Sequence, residues 1–156
     1  MSDRTSMSIT IADCPPDQIG ALTRTLTDLG LARVEGHNEF STGEIICGTS
    51  FDIGEQLPTA APDASWELVE QPAYEYLGIA MMYTPALGLF TSDCNDLGQP
   101  LVTTTAALAL ATLTLQNPDT ISEVRGRLGF DHRRALDDLI EHNPGFVLPE
   151  FNSHEV

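Results

Sequence analysis

The sequence predicts an α+β protein with a mostly antiparallel sheet, an N-terminal β-α-β-β part and a C-terminal helical segment. Two observations carry that expectation. Stretches of strand-like alternation crowd the first hundred residues, interrupted by one amphipathic helix, and helix-like periodicity takes over from Thr103. With 156 residues, 42% of them hydrophobic, the chain is the size of one domain and long enough to bury a continuous core. Residues 1–145 are expected to form that domain, with 7–102 mainly sheet plus one helix and 103–142 helical. Residues 146–156 read as a loosely ordered tail.

Met7, Ile9 and Ile11 alternate with Ser8 and Thr10, the pattern of a strand with one buried face. Asp13-Cys14-Pro15-Pro16-Asp17 then suits a helix start, with a nearby capping acid and prolines in the first turn. Ile19, Leu22, Leu26 and Leu29 follow at helical spacing, and Gly30 provides the stop. Leu31–Phe40 and Gly43–Phe51 read as two strands joined by a polar turn at 41–43. Pro58 and Pro62 make Asp52–Ser65 a loop, or at most a short interrupted helix.

An antiparallel meander is expected next, from Trp66–Gln71, Ala73–Tyr83 and Leu87–Thr91. In its middle strand Leu77, Ile79, Met81 and Tyr83 share one face, while Tyr74, Tyr76, Gly78, Ala80 and Met82 share the other. Both faces are largely apolar, so this strand should be central and covered on both sides. The remainder is helical. Thr103–Gln116 is rich in Ala and Leu, Asn117-Pro118 opens a second helix that ends at Gly129, and Asp131 opens a third that ends before Pro144. The opening order suits a ferredoxin-like split βαβ layout.

Charge is the unusual feature. There are 23 acidic residues, 7 arginines and no lysine, a net charge of −16. An overall basic surface for nucleic acid or for anionic lipid is therefore disfavoured, and a basic protein partner is favoured. From Glu35 to Val124 there are 13 acidic residues and no Lys or Arg, so the charge belongs to the β-rich middle. No apolar stretch reaches membrane-spanning length, and the start lacks the basic-then-apolar order of a secretory leader, so a cytoplasmic protein is expected.

Motifs with defined chemistry are sparse. Cys14, Cys47 and Cys94 lie at least 33 residues apart, which argues against a disulfide framework and a zinc cluster. Cys14 falls at an expected helix N-terminus, where a thiol is acidified. With no base nearby, a buried thiol is the expectation. Ser92–Gly98 has the Asp and Asn of a calcium loop but lacks its oxygen count, so a turn is expected there. Asp138 and His142 share a helix face, which suits an ion pair better than a metal site. No phosphate loop, nucleophile elbow or dinucleotide fingerprint occurs, so no cofactor and no metal are implied.

Residues 119–141 resemble the helix-turn-helix of bacterial DNA-binding regulators. Val124, Leu128, Phe130, Ala135 and Leu139 match its buried positions, Gly129 its turn and Asp131 the cap of its second helix. The resemblance implies that Arg125, His132, Arg133 and Arg134 would contact DNA. Against it, Arg125 stands where that motif has a small residue, and Glu123, Asp137 and Asp138 stand four residues from arginines they would neutralise.

Trp66, Tyr74 and Tyr76 are interleaved with Glu67, Glu70 and Glu75, with Asp93 and Asp96 close behind. Aromatics edged by acids make a protein-binding patch when one face is uncovered. The leading expectation is thus a non-enzymatic acidic binding or regulatory protein, in its sharper form an imitator of nucleic acid that inhibits a DNA-handling protein. A DNA-binding regulator is the alternative. A small enzyme of unknown chemistry is the second alternative; it would need a pocket holding a desolvated carboxylate or histidine.

Overall fold

The computed structural model describes residues 4–149. Six strands form one sheet: β2 (Met7–Asp13), β3 (Ala32–Arg33), β4 (Glu39–Ser41), β6 (Ser65–Glu70), β7 (Gly78–Thr84) and β8 (Gly88–Cys94). Their order is β3-β4-β2-β6-β7-β8, and every neighbouring pair is antiparallel. A separate two-stranded ribbon pairs β1 (Arg4–Thr5) with β5 (Ile45–Ile46). The helices are α1 (Ile19–Asp28), α2 (Ser50–Ala60), α3 (Thr104–Gln116), α4 (Ile121–Arg127) and α5 (Phe130–His142). Among the described residues no helix is long and apolar enough to cross a membrane.

The run β2-α1-β3-β4-α2-β6 has the ferredoxin-like split βαβ topology. Two successive antiparallel pairings make β3 parallel to β2, with β4 inserted between them. The meander β7–β8 then widens the sheet on the β6 side. Period-2 alternation sorts its two faces. Met7, Ile9, Ile11, Trp66, Leu68 and Met81 point inward and pack with Leu22 and Leu26 of α1 and Ile53 and Leu57 of α2. On the outer face Met82 and Phe90 pack with Leu136 and Leu139 of α5. Ala12 follows Ser8 and Thr10 onto the outer face by the same alternation and joins that cluster.

Where local patterning and structure part, the causes are identifiable. The expected strand Leu31–Phe40 is a hairpin, β3-β4, turned at Gly36 with φ +76, a conformation that glycine adopts without steric cost. Of the expected strand Gly43–Phe51 only β5 remains, and Phe51 belongs to α2. The expected loop Asp52–Ser65 is instead mostly the eleven-residue helix α2. Pro58 lies in its last turn, and the helix start has a cap supplied from far away. The Glu70 carboxylate accepts the backbone N–H of Gly48 at 3.0–3.1 Å and that of Ser50 at 3.1 Å. At 2% exposure it satisfies donors that the first helical turn otherwise leaves open.

The helical segment follows expectation more closely. Thr103 caps α3 by accepting the Ala106 N–H at 3.0 Å, and Asn117 begins a 3-10 turn, Pro118–Thr120, that leads into α4. Gly129, φ +78, separates α4 from α5, and a Cβ there would sit 2.7 Å from the Phe90 ring, so this turn touches the sheet directly. Residues 146–149, expected to hang loosely, are fastened instead. Leu148 is buried, Arg33 donates to the Leu148 and Pro149 carbonyls, and Asn38 bonds both Phe146 and Leu148. Residues 150–156 of the expected tail lie outside the described residues.

The Glu70 cap has a measurable weight. Glu70→Ala leaves the buried Ser50 N–H and the partly buried Gly48 N–H without an acceptor and should lower unfolding stability by about 2–3 kcal/mol. Glu67→Gln, on the outer face of the same strand, should cost under about 1 kcal/mol. Urea denaturation of both variants measures the difference; equal losses would refute a capping role.

Candidate functional site

One end of the sheet gathers the loops that carry exposed chemistry. β6 ends at Glu70, β7 begins at Gly78 and β8 ends at Cys94. The connection 71–77 and the loop after Cys94 therefore emerge side by side. Gly78 makes their closeness necessary: a Cβ on it would lie 2.6 Å from the Glu70 carbonyl and 2.8 Å from the Cys94 sulfur. Ala73 and Tyr76 exchange both backbone hydrogen bonds, at 3.1 and 2.9 Å, which leaves Tyr74-Glu75 as a two-residue turn. Such turns require positive φ. Tyr74 adopts it, at φ 54, the one described non-glycine residue to do so.

That conformation costs a bulky residue about 1–3 kcal/mol. The strain is not recovered by packing, because Tyr74 is 88% exposed. Tyr76 and Leu77 are exposed beside it, as are Glu75, Asp93 and Asp96. Among the described residues none of these three acids forms an ion pair. The neighbouring loop is tied by Asn95, whose side-chain oxygen accepts the N–H groups of Leu97 and Gln99, both at 3.0 Å. This is the turn expected of Ser92–Gly98.

Two residues expected on the partner surface are interior. Trp66 is fully buried and stacks on Tyr83 with ring centroids 5.6 Å apart. Glu70 is buried under α2, as described above. Parity along β6 explains both, since Trp66, Leu68 and Glu70 share the inner face while Glu67 and Val69 face outward. Glu67 is half-buried and bonds the guanidinium of Arg133. Of the eight residues, then, Tyr74, Glu75, Tyr76, Asp93 and Asp96 come together at the exposed end, and Leu77 belongs with them.

The helix-turn-helix residues are placed otherwise. His132 is buried against the sheet, its Nε2 3.0 Å from the Gly88 carbonyl and its ring beside Phe90. Arg133 bonds both Glu67 and Asp137. Burial disfavours its charge, but the two carboxylates outweigh that and hold its pKa above the ordinary value. Arg125 lies 3.9 Å from Asp131, Arg127 pairs with Glu123, and Arg134 is exposed. Asp131 does not cap α5; Gly129 occupies that position. At the start of α5, His132 and Arg133 are thus turned toward the sheet, while Arg134 stays exposed.

An outer-face groove of about 310 Å³ lies over Val69, Ala80 and Met82, walled by Leu97 and Phe130. Its only ionisable lining groups are Glu67 and Arg133, which pair with each other. On α5, Asp138, Glu141 and His142 bring donor atoms within 4.8 Å of one another at the exposed surface. The His142 Nδ1 is already 2.8 Å from the Asp138 carbonyl, and exposed acids cluster readily in so acidic a chain.

Cys14 is the buried thiol expected of it: burial and the nearby Asp13 and Asp17 push it up to about 11, and burial with Asp93 and Glu70 does the same for Cys94. The raised values mean that the protonated thiols favour the fold below the ordinary pKa near 9.0, and that this contribution fades as pH climbs toward 11. At pH 8 native protein should resist thiol reagents at Cys14 and Cys94, with both reacting at once in denaturant. Fast native labelling of either, mapped by peptide mass, would refute this.

No protein-family model, curated protein or solved structure matches the chain.

Proposed function

We propose that this chain is a non-enzymatic binding protein that contacts a basic protein partner through its acid-edged aromatic tip, Tyr74–Leu77 with Asp93 and Asp96. The observation that carries the reading is Tyr74: a large aromatic side chain in a strained backbone conformation, almost wholly exposed to water. Strain that no internal contact repays is a mark of function. Tyrosine is among the residues that anchor protein interfaces, because it buries much surface while losing little rotamer freedom.

The surrounding charge favours a basic partner. Glu75, Asp93 and Asp96 stand within the run that has no Lys or Arg, in a chain of net charge −16. They would steer a basic surface toward the tip and raise its association rate. Of the four arginines in the helical segment, Arg125, Arg127 and Arg133 are held by carboxylates of the same chain, which speaks against the DNA-binding reading. Enzymatic chemistry has little support in a groove whose two ionisable groups neutralise each other. The narrower reading, in which the acids imitate DNA phosphates on that partner, adds one requirement: duplex DNA must compete for the same surface.

Affinity capture with wild type and two variants tests the reading. Glu75→Gln/Asp93→Asn/Asp96→Asn should lose the captured partner, and capture by wild type should weaken as salt rises. Tyr74→Gly should weaken binding at least about tenfold, corresponding to about 1.4 kcal/mol, while raising unfolding stability by about 1 kcal/mol through relief of strain. An identical set of captured proteins for wild type and both variants would sink the proposal. Release by added duplex DNA would support the nucleic-acid-imitating version, and its absence would remove that version alone.

A further inference from the structure

Helix α3 is out of place in a single copy of this protein. Its thirteen residues, Thr104–Gln116, include Leu108, Leu110, Leu113 and Leu115 with four alanines and no charged group, and none of them is buried. Leu108 is 68% exposed and Leu115 85%. A helix that is apolar all round belongs in an interior. A lone helix of this length is also marginal in water. Here its principal neighbours are the Pro118–Thr120 turn and the short helix α4.

The same chain carries an apolar groove that none of its own described segments fills. Beside α5 on the outer face of the sheet lies the groove floored by Val69, Ala80 and Met82, of which Ala80 and Met82 are already buried. Leu97 and Phe130, both strongly exposed, stand on its walls. A second hollow lined by Val102, Pro100 and Phe130 continues it toward the start of α3. No residue of α3 lines either hollow.

Charge decides what the occupant is. Two copies of a −16 chain repel one another, so self-association has to use surface without acids. Residues 97–118 are the longest run of the sequence free of Asp, Glu, Lys, Arg and His, and they include both the Leu97 wall and the whole of α3. A basic partner, which the exposed acids favour elsewhere, gains nothing from this segment.

We infer that the protein pairs with a second copy of itself, the α3 helix of each copy lying in the outer-face groove of the other. Reciprocal insertion gives a closed two-fold pair in which each copy offers the same helix and the same groove. A helix about 20 Å long and about 10 Å across has a lateral surface of about 600 Å², of which about half, ~300 Å², can face a groove. With its own groove covered as well, each copy buries about 600 Å², the lower end of the range for specific interfaces. The tip at Tyr74–Leu77 is no part of this contact, so the pair would present two tips.

Analytical ultracentrifugation of the full chain at micromolar concentration tests the inference. Wild type should sediment as a dimer, and more completely at high salt, because screening removes repulsion without weakening an uncharged contact. That is opposite to the salt response of binding at the tip, so the two proposals fail separately. Leu108→Glu/Leu115→Glu on α3 and Leu97→Glu/Phe130→Glu on the groove walls should each weaken dimerisation at least about a hundredfold. These side chains are exposed in the single copy, and thermal unfolding checks that the sheet remains folded. Mixing Leu108→Cys with Phe130→Cys protein should form a disulfide between copies that neither variant forms alone. A monomeric wild type, a dimer indifferent to the α3 charges, or a monomer that binds phosphatidylcholine vesicles through α3 would overturn the inference.

Discussion

The buried Glu70 carboxylate joins the two halves of the inner layer. It ends β6, yet its oxygens receive the N–H groups that open α2, twenty residues earlier in the chain. A carboxylate in a dry interior is tolerable only when donors surround it, and the N-terminus of a helix presents them already aligned. Gly48, at φ +92, bends the chain so that its N–H meets the acid. In the split βαβ order α2 delivers the chain to β6 beside β2, and the end of β6 returns Glu70 to the start of that helix. The same strand end sets the Gly78 and Cys94 approach, and hence the position of the exposed loops.

Elements whose determinants are local were legible in the sequence. β2 and α1 announce themselves through alternation and through the spacing of Ile19, Leu22 and Leu26, and the two apolar faces of β7 foretell cover on both sides. What escaped was determined at a distance. α2 contains a proline and lacks a local cap, and its stabilising acceptor lies beyond the window in which helix signals are read. The hairpin β3-β4 was concealed by an apolar–polar run that continues through Gly36, where a single left-handed residue reverses the chain. At the candidate site the acids and aromatics were visible as a composition. Their sorting into inside and outside required only parity along β6: an acid two residues from Leu68 and four from Trp66 shares their face.

The electrostatic pattern likewise depends on pairing more than on totals. Arginines concentrated in one segment suggest a nucleic-acid contact by number, but Glu67, Glu123, Asp131 and Asp137 meet them in space. The Glu67–Arg133 contact ties α5 to the outer face of β6 and is worth little in stability at a half-exposed position. Its effect is to fix where α5 lies, and with it how much of the apolar outer face is left open. The ion-paired acids lie around the arginines of α4 and α5, while Glu75, Asp93 and Asp96, which form no ion pair among the described residues, lie at the opposite end of β6 to β8.

The clamp at the end of the described chain bears on how the protein is made. Leu148 belongs to the same buried cluster as Met7, Phe40 and Leu31, and Asn38 holds the Leu148 N–H across 110 residues of sequence. During synthesis the chain emerges from its N-terminus, so the β3-β4 hairpin is complete long before its seal exists. Until the last segment arrives, Phe40 and its neighbours stay partly wet and the sheet keeps an unguarded margin. Closure of a contact this distant in sequence is entropically slow. A nascent chain halted before residue 146 therefore holds every strand of its sheet and still lacks a finished core.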